Sequence, residues 1–156
     1  MLYVTNSPLD TQKLAISIVK KYLKKNKKYW FFFLYGELGS GKTEFVKGVA
    51  KALKFDDSQI RSPTFLVISE LKNKKFELYH LDFYRVDEKF SDRILHDLLE
   101  EKLYIKKNIV FCFEWAEKLS NKIKNLIENI NSSVLVSVKI KILNSTKRKI
   151  YIDEKK

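Results

Sequence analysis

The stretch Trp30-Phe31-Phe32-Phe33-Leu34-Tyr35-Gly36-Glu37-Leu38-Gly39-Ser40-Gly41-Lys42-Thr43-Glu44-Phe45-Val46 decides the fold. The bulky apolar run 30–35 has the pattern of a strand buried on both faces, hence a central, parallel one. The chain has only four glycines, and Gly36, Gly39 and Gly41 follow that run at once. Phe45, Val46, Val49, Ala50 and Leu53 then recur at helical spacing. The unit reads strand, glycine loop, helix. Residues 36–43 fit G-x-x-x-x-G-K-[ST] between the two elements that this motif requires.

Each residue type in that motif has a physical task. Glycines let successive backbone N–H groups turn toward a phosphate, and the following helix adds its positive N-terminal end. Lys42 places a cation on the β- and γ-phosphates of a nucleotide, and the Thr43 hydroxyl is a Mg²⁺ ligand. The expected nucleotide contacts therefore run through Glu37, Leu38, Gly39, Ser40, Gly41, Lys42, Thr43 and Glu44.

A phosphate loop also needs a carboxylate on a neighbouring strand to hold Mg²⁺. Asp82 supplies one at the end of the apolar run Leu78-Tyr79-His80-Leu81, and Glu114 supplies a second after the run 109–113. The two are alternatives for the direct metal contact, and Glu114 is also placed to polarise the attacking water. Trp115 next to Glu114 packs either over the nucleotide or a partner, or into the core. His80 shares a strand face with Asp82 and reads as a half-buried, satisfied histidine.

Outward from the loop, Ser7 and Pro8 start a helix whose apolar face includes Leu14, Ala15, Ile18 and Tyr22. Residues 2–4 read as an edge strand. Residues 65–71 and 76–82 flank the polar turn 72–75 as an antiparallel pair. Ile94, Leu95, Leu98, Leu99 and Leu103 form another helix face, and Leu119, Ile123, Leu126, Ile127 and Ile130 a third, long one. The chain closes with a hairpin, 134–143 and 148–152, turning at Asn144-Ser145-Thr146. Strands alternating with helices give an α/β fold, and the hairpins make its sheet mixed.

At 156 residues the chain is expected to form one domain, 1–156. A hydrophobic fraction of 45% excludes disorder. The longest apolar run, 29–35, is far short of the ~20 residues of a membrane-spanning helix. The start, MLYVTNSPLD, has no signal-peptide pattern, so a cytoplasmic location is expected. The single cysteine, Cys112, excludes a disulfide framework and reads as a buried thiol. A net charge of +12 is compatible with a polyanionic partner. Much of it is lysine in places that solvent alone explains, such as 20–28, 72–75 and the C-terminal tail.

Four segments in order carry a family resemblance: GELGSGKT at 36–43, Arg61-Ser62-Pro63-Thr64-Phe65, Tyr79-His80-Leu81-Asp82-Phe83-Tyr84-Arg85, and Phe113-Glu114-Trp115-Ala116-Glu117. Together they resemble the signatures of the bacterial TsaE family, from the first helix to the last hairpin. The resemblance implies a P-loop NTPase-like three-layer sandwich with a mixed, mainly parallel central sheet. It implies an ATPase that uses Mg²⁺ and acts with TsaD and TsaB in the threonylcarbamoyl modification of adenosine 37 in tRNAs reading codons that begin with A. The tRNA would be met within that complex. Carried over to this chain, Lys42, Asp82 and Glu114 are catalytic, Thr43 is a phosphate and Mg²⁺ contact, and Thr64 is a switch-like threonine near the γ-phosphate.

No N-K-x-D segment is present, which favours ATP over GTP. A small-molecule kinase would need an arginine-rich lid, and the only arginines are Arg61, Arg85, Arg93 and Arg148, unclustered in sequence. A nucleotide-gated assembly switch uses the same loop and stays open beside the ATPase.

Overall fold

The computed structural model describes residues 1–61 and 68–155. Thr64 and the start of the strand expected from residue 65 lie outside the described residues.

The run that decides the fold forms β2 (Tyr29–Tyr35), with six of its seven residues buried. It lies at the middle of a seven-stranded sheet ordered β1-β7-β6-β2-β5-β4-β3. The other strands are β1 (Leu2–Thr5), β3 (Ile68–Lys72), β4 (Phe76–Asp82), β5 (Asn108–Glu114), β6 (Ser133–Ile142) and β7 (Arg148–Lys155). β2 pairs in parallel with both β5 and β6, and β5 pairs in parallel with β4. β3 runs antiparallel to β4, and β7 antiparallel to its neighbours β1 and β6. All strands except β3 and β7 therefore point the same way, as a mixed, mainly parallel sheet requires.

Alternation along β2 builds two cores. Trp30, Phe32 and Leu34 pack with α1 (Pro8–Leu23) and α2 (Lys42–Ala52) on one face. Phe31 and Phe33 pack with α3 (Glu88–Lys102) and α4 (Asn121–Glu128) on the other. Removing each such ring from water is worth about 1.5–3 kcal/mol, so this run holds both helical layers to the sheet. The result is a three-layer sandwich.

Local chemistry sets the element ends. The Ser7 hydroxyl accepts from the Asp10 N–H at 3.1 Å, with Pro8 in the first turn of α1. Asn73 Oδ1 accepts from the N–H groups of Lys75 and Phe76, both at 2.9 Å, and tightens the β3–β4 turn. Asn144 Oδ1 does the same for Thr146 and Lys147 between β6 and β7. The last helix, α4, is shorter than its apolar stripe suggests. Ser120, inside the stripe, is the cap of α4 and accepts from the Ile123 N–H at 3.2 Å. Leu119 is buried from outside the helix, whereas Leu126 is 43% exposed. Among the described residues no helix is long and apolar enough to cross a membrane.

Candidate functional site

The loop between β2 and α2 has backbone that its glycines make possible. Gly36 sits where an added Cβ would come within 2.5 Å of the Ile140 carbonyl oxygen on β6. Gly41 turns the chain into α2 at φ 102°, which L side chains rarely adopt. Arg148, at the start of β7, braces the loop from outside. Its Nε donates to the Ser40 carbonyl at 3.0 Å and its Nη2 to the Gly39 carbonyl at 3.2 Å.

Lys42 is almost completely buried, and its ammonium donates to the carbonyls of Gly36 (2.7 Å) and Glu37 (3.0 Å). The same nitrogen lies 4.1 Å from the centre of the Trp115 ring, a cation–π contact. Burial pulls the Lys42 pKa below the usual lysine range, partly opposed by the nearby carboxylates of Glu114, Glu117, Asp82 and Glu37. Its cation is thus held by weak acceptors that a phosphate can replace.

Parallel register brings the two carboxylates together. Asp82 and Glu114 are paired residues at the ends of β4 and β5, both buried. Asp82 Oδ1 accepts from the Tyr84 N–H at 3.0 Å. Glu114 Oε1 accepts from the Thr43 hydroxyl at 2.9 Å and lies 2.8 Å from His80 Nε2. His80 has no exposed surface, so the half-buried reading is corrected. The other ring nitrogen of His80, Nδ1, is buried and finds no partner among the described residues.

A cleft of about 310 Å³ gathers these groups: Leu38, Gly39, Gly41, Lys42, Thr43, Glu44, Asp82, Tyr84, Glu114 and Trp115 line it. A larger cleft of about 530 Å³ lies between α3 and α4, away from all of them. Trp115 adopts φ 58°, a left-handed conformation costly for a bulky residue. Its ring is 4.9 Å from that of Tyr84, making an aromatic wall beside Lys42. The Glu44 carboxylate is taken up by Gln12 (2.5 Å) and Lys47 (2.6 Å), which leaves its backbone as the part suited to a phosphate. Glu37 and Ser40 belong to the loop but do not line the cleft. Ser40 is fully buried with its hydroxyl unpartnered among the described residues.

Three positioning interactions were not evident from sequence. The His80–Glu114 contact depends on the β4–β5 register, and the only hint was that His80 and Asp82 share a face. Arg148 lies more than a hundred residues from the loop it braces. Gln12, on α1, reaches Glu44 on α2 through helix packing alone.

A family model described as threonylcarbamoyl adenosine biosynthesis protein TsaE matches residues 5–150. The tRNA threonylcarbamoyladenosine biosynthesis protein TsaE of Aquifex aeolicus is 36% identical over 154 residues, covering 97% of this chain and 95% of that protein. The protein of the same description from Rickettsia prowazekii is 31% identical over 147 residues, covering 94% and 90%. The crystal structure of Bacillus subtilis YdiB superposes with a TM-score of 0.62 at 25% identity, covering 96% of this chain and 82% of that one.

Proposed function

The chain belongs to the TsaE family, in the biosynthesis of tRNA threonylcarbamoyladenosine, and on that premise we propose that it is a Mg²⁺-dependent ATPase working with TsaB and TsaD in the cytoplasm as one ATPase domain. The observation that carries this reading is the convergence of Lys42, Thr43, Asp82 and Glu114 on one cleft beneath a glycine loop. The modified base would be adenosine 37 of tRNAs reading codons that begin with A, with the tRNA met inside the complex.

The residues suit a nucleotide and a hard cation. The loop backbone takes a course that side chains would block at Gly36 and strain at Gly41. The oxygens of Thr43 and of one of the two carboxylates, Asp82 or Glu114, are the donor type that Mg²⁺ prefers and would hold it. Mg²⁺ bound there neutralises phosphate charge. Lys42 exchanges the carbonyls of Gly36 and Glu37 for phosphate oxygens. N–H groups of 37–44 hold the remaining oxygens. Trp115 covers the lysine side of the cleft and excludes water. Glu114, fixed by Thr43 and His80, accepts a hydrogen bond from the attacking water and orients it. A water–phosphorus bond forms and the bond to the β–γ bridging oxygen breaks; ADP and inorganic phosphate leave, and the water's proton passes by way of Glu114 to the phosphate or solvent.

The content of the cleft supports stimulation by partners. Arg148 is committed to the carbonyls of Gly39 and Ser40. No arginine lines the cleft among the described residues, and an arginine supplied or positioned by a partner is worth ~10³–10⁵ in rate.

Calorimetry tests the nucleotide assignment. Wild type should bind Mg-ATP in preference to GTP, and Lys42→Ala should weaken ATP binding by about 10-fold or more. Equal affinity of wild type and variant, or a preference for GTP, overturns it.

A further inference from the structure

Opposite the nucleotide cleft, the strand-starting end of the sheet carries a concentration of one charge. Lys24-Lys25-Asn26-Lys27-Lys28 leads into β2, Lys72-Asn73-Lys74-Lys75 into β4, and Lys106-Lys107 into β5, three adjacent strands. Lys54 joins them at the end of α2. No aspartate or glutamate interrupts 24–28, 53–55, 72–75 or 103–107.

Hydrogen bonds fasten these loops into one surface. Asn73 Nδ2 donates to the Leu53 carbonyl at 3.0 Å, and the Asn73 carbonyl accepts from Lys107 Nζ at 3.2 Å. The Ile109 N–H donates to the Lys28 carbonyl at 2.9 Å. Lys25, Lys72 and Lys107 are paired with Glu154, Glu70 and Glu77. The other seven of these ten lysines have no ion-pair partner among the described residues.

Two further features accompany the charge. A cleft of about 500 Å³ opens between the ends of α1 and α2 and the β3–β4 turn, with Leu23, Leu53 and Phe76 on its apolar wall and Lys54, Lys74 and Lys75 at its edge. Tyr104, in the loop before β5, is 87% exposed, an aromatic ring presented to solvent amid the lysines.

We propose that this lysine face, with Tyr104, is an RNA-binding surface separate from the nucleotide cleft. Flexible ammonium groups without carboxylate partners suit a phosphodiester backbone read by charge rather than by sequence. A projecting ring supplies the stacking platform that an unpaired base uses. An anionic membrane would instead favour an amphipathic helix carrying both the lysines and apolar residues, and here the lysines come from separate loops. The proposal stands apart from the ATPase reading, because the two sites lie at opposite ends of the parallel strands.

Fluorescence anisotropy of the full chain with a labelled unmodified tRNA transcript, a labelled uridine oligonucleotide and a labelled RNA duplex tests it. Lys74→Glu/Lys75→Glu should weaken RNA binding by about 10-fold and lower the salt slope by about 1.4 for the oligonucleotide. Lys13→Glu/Lys122→Glu makes the same charge change at exposed helix positions elsewhere and should stay within about 2-fold. Tyr104→Ala should weaken the oligonucleotide by about 5-fold or more and spare the duplex. Circular dichroism and ATP binding should match wild type in every variant, and Lys24→Glu/Lys27→Glu gives a second reading of the face if the first pair misfolds. Equal losses in the face and control pairs, no saturable RNA binding, or binding only to phosphatidylserine vesicles overturns the proposal.

Discussion

His80 Nε2 lies 2.8 Å from Glu114 Oε1, and both side chains are buried. The same oxygen takes the Thr43 hydroxyl at 2.9 Å, so a residue from β4 and the first turn of α2 fix one carboxylate from opposite sides. Ordering a carboxylate in this way lets it meet a cation or a water without first losing rotamer freedom.

Replacing His80 should therefore damage the site through Glu114. His80→Ala is expected to raise the Mg²⁺ concentration needed for half-maximal turnover by about 10- to 100-fold and to leave nucleotide affinity without Mg²⁺ within a few-fold. His80→Gln, which keeps a donor, should recover part of the loss. A Mg²⁺ titration of turnover for the three proteins checks this. Unchanged Mg²⁺ dependence in His80→Ala removes the positioning role.

Gly48 lets α2 pack closely on α1. A Cβ there would lie 2.4 Å from the Gln12 carbonyl oxygen and 2.6 Å from the Ala15 Cβ. Alanine ordinarily stabilises a helix by about 1 kcal/mol over glycine, but a backbone carbonyl this near forces the helices apart. Gly48→Ala should lower unfolding stability by about 1–3 kcal/mol, read from urea denaturation. Stability equal to or above wild type would show that the helices separate without cost.

The parts legible in the sequence are those that local composition determines. The apolar run 29–35 and the clustered glycines mark β2 and the loop without reference to the rest of the chain. Asp82 and Glu114 were found because each ends an apolar run, and parallel pairing then aligned them. Periodicity misled at α4, because apolar residues beyond Ser120 and Asn129 keep the spacing of a helix after the backbone has left it. Ser120 was the local signal that the stripe concealed. The contacts of His80 and Arg148 join strands far apart in the chain, and neither neighbourhood encodes its partner. The Glu44 carboxylate is bonded to Gln12 and Lys47 through the packing of α1 on α2, which no local sequence encodes.

ATP hydrolysis in the cleft is proposed to run through Glu114 and to be completed by TsaB and TsaD. Phosphate release from Mg-ATP, measured for the chain alone and with the TsaB–TsaD pair, for wild type and Glu114→Ala, tests it most directly. Wild type should be slow alone and accelerated by the pair, while Glu114→Ala should still bind ATP and turn over about 10²-fold more slowly in the complex. A wild-type rate in the Glu114→Ala complex, or a fast rate in isolation that the pair leaves unchanged, would contradict the account.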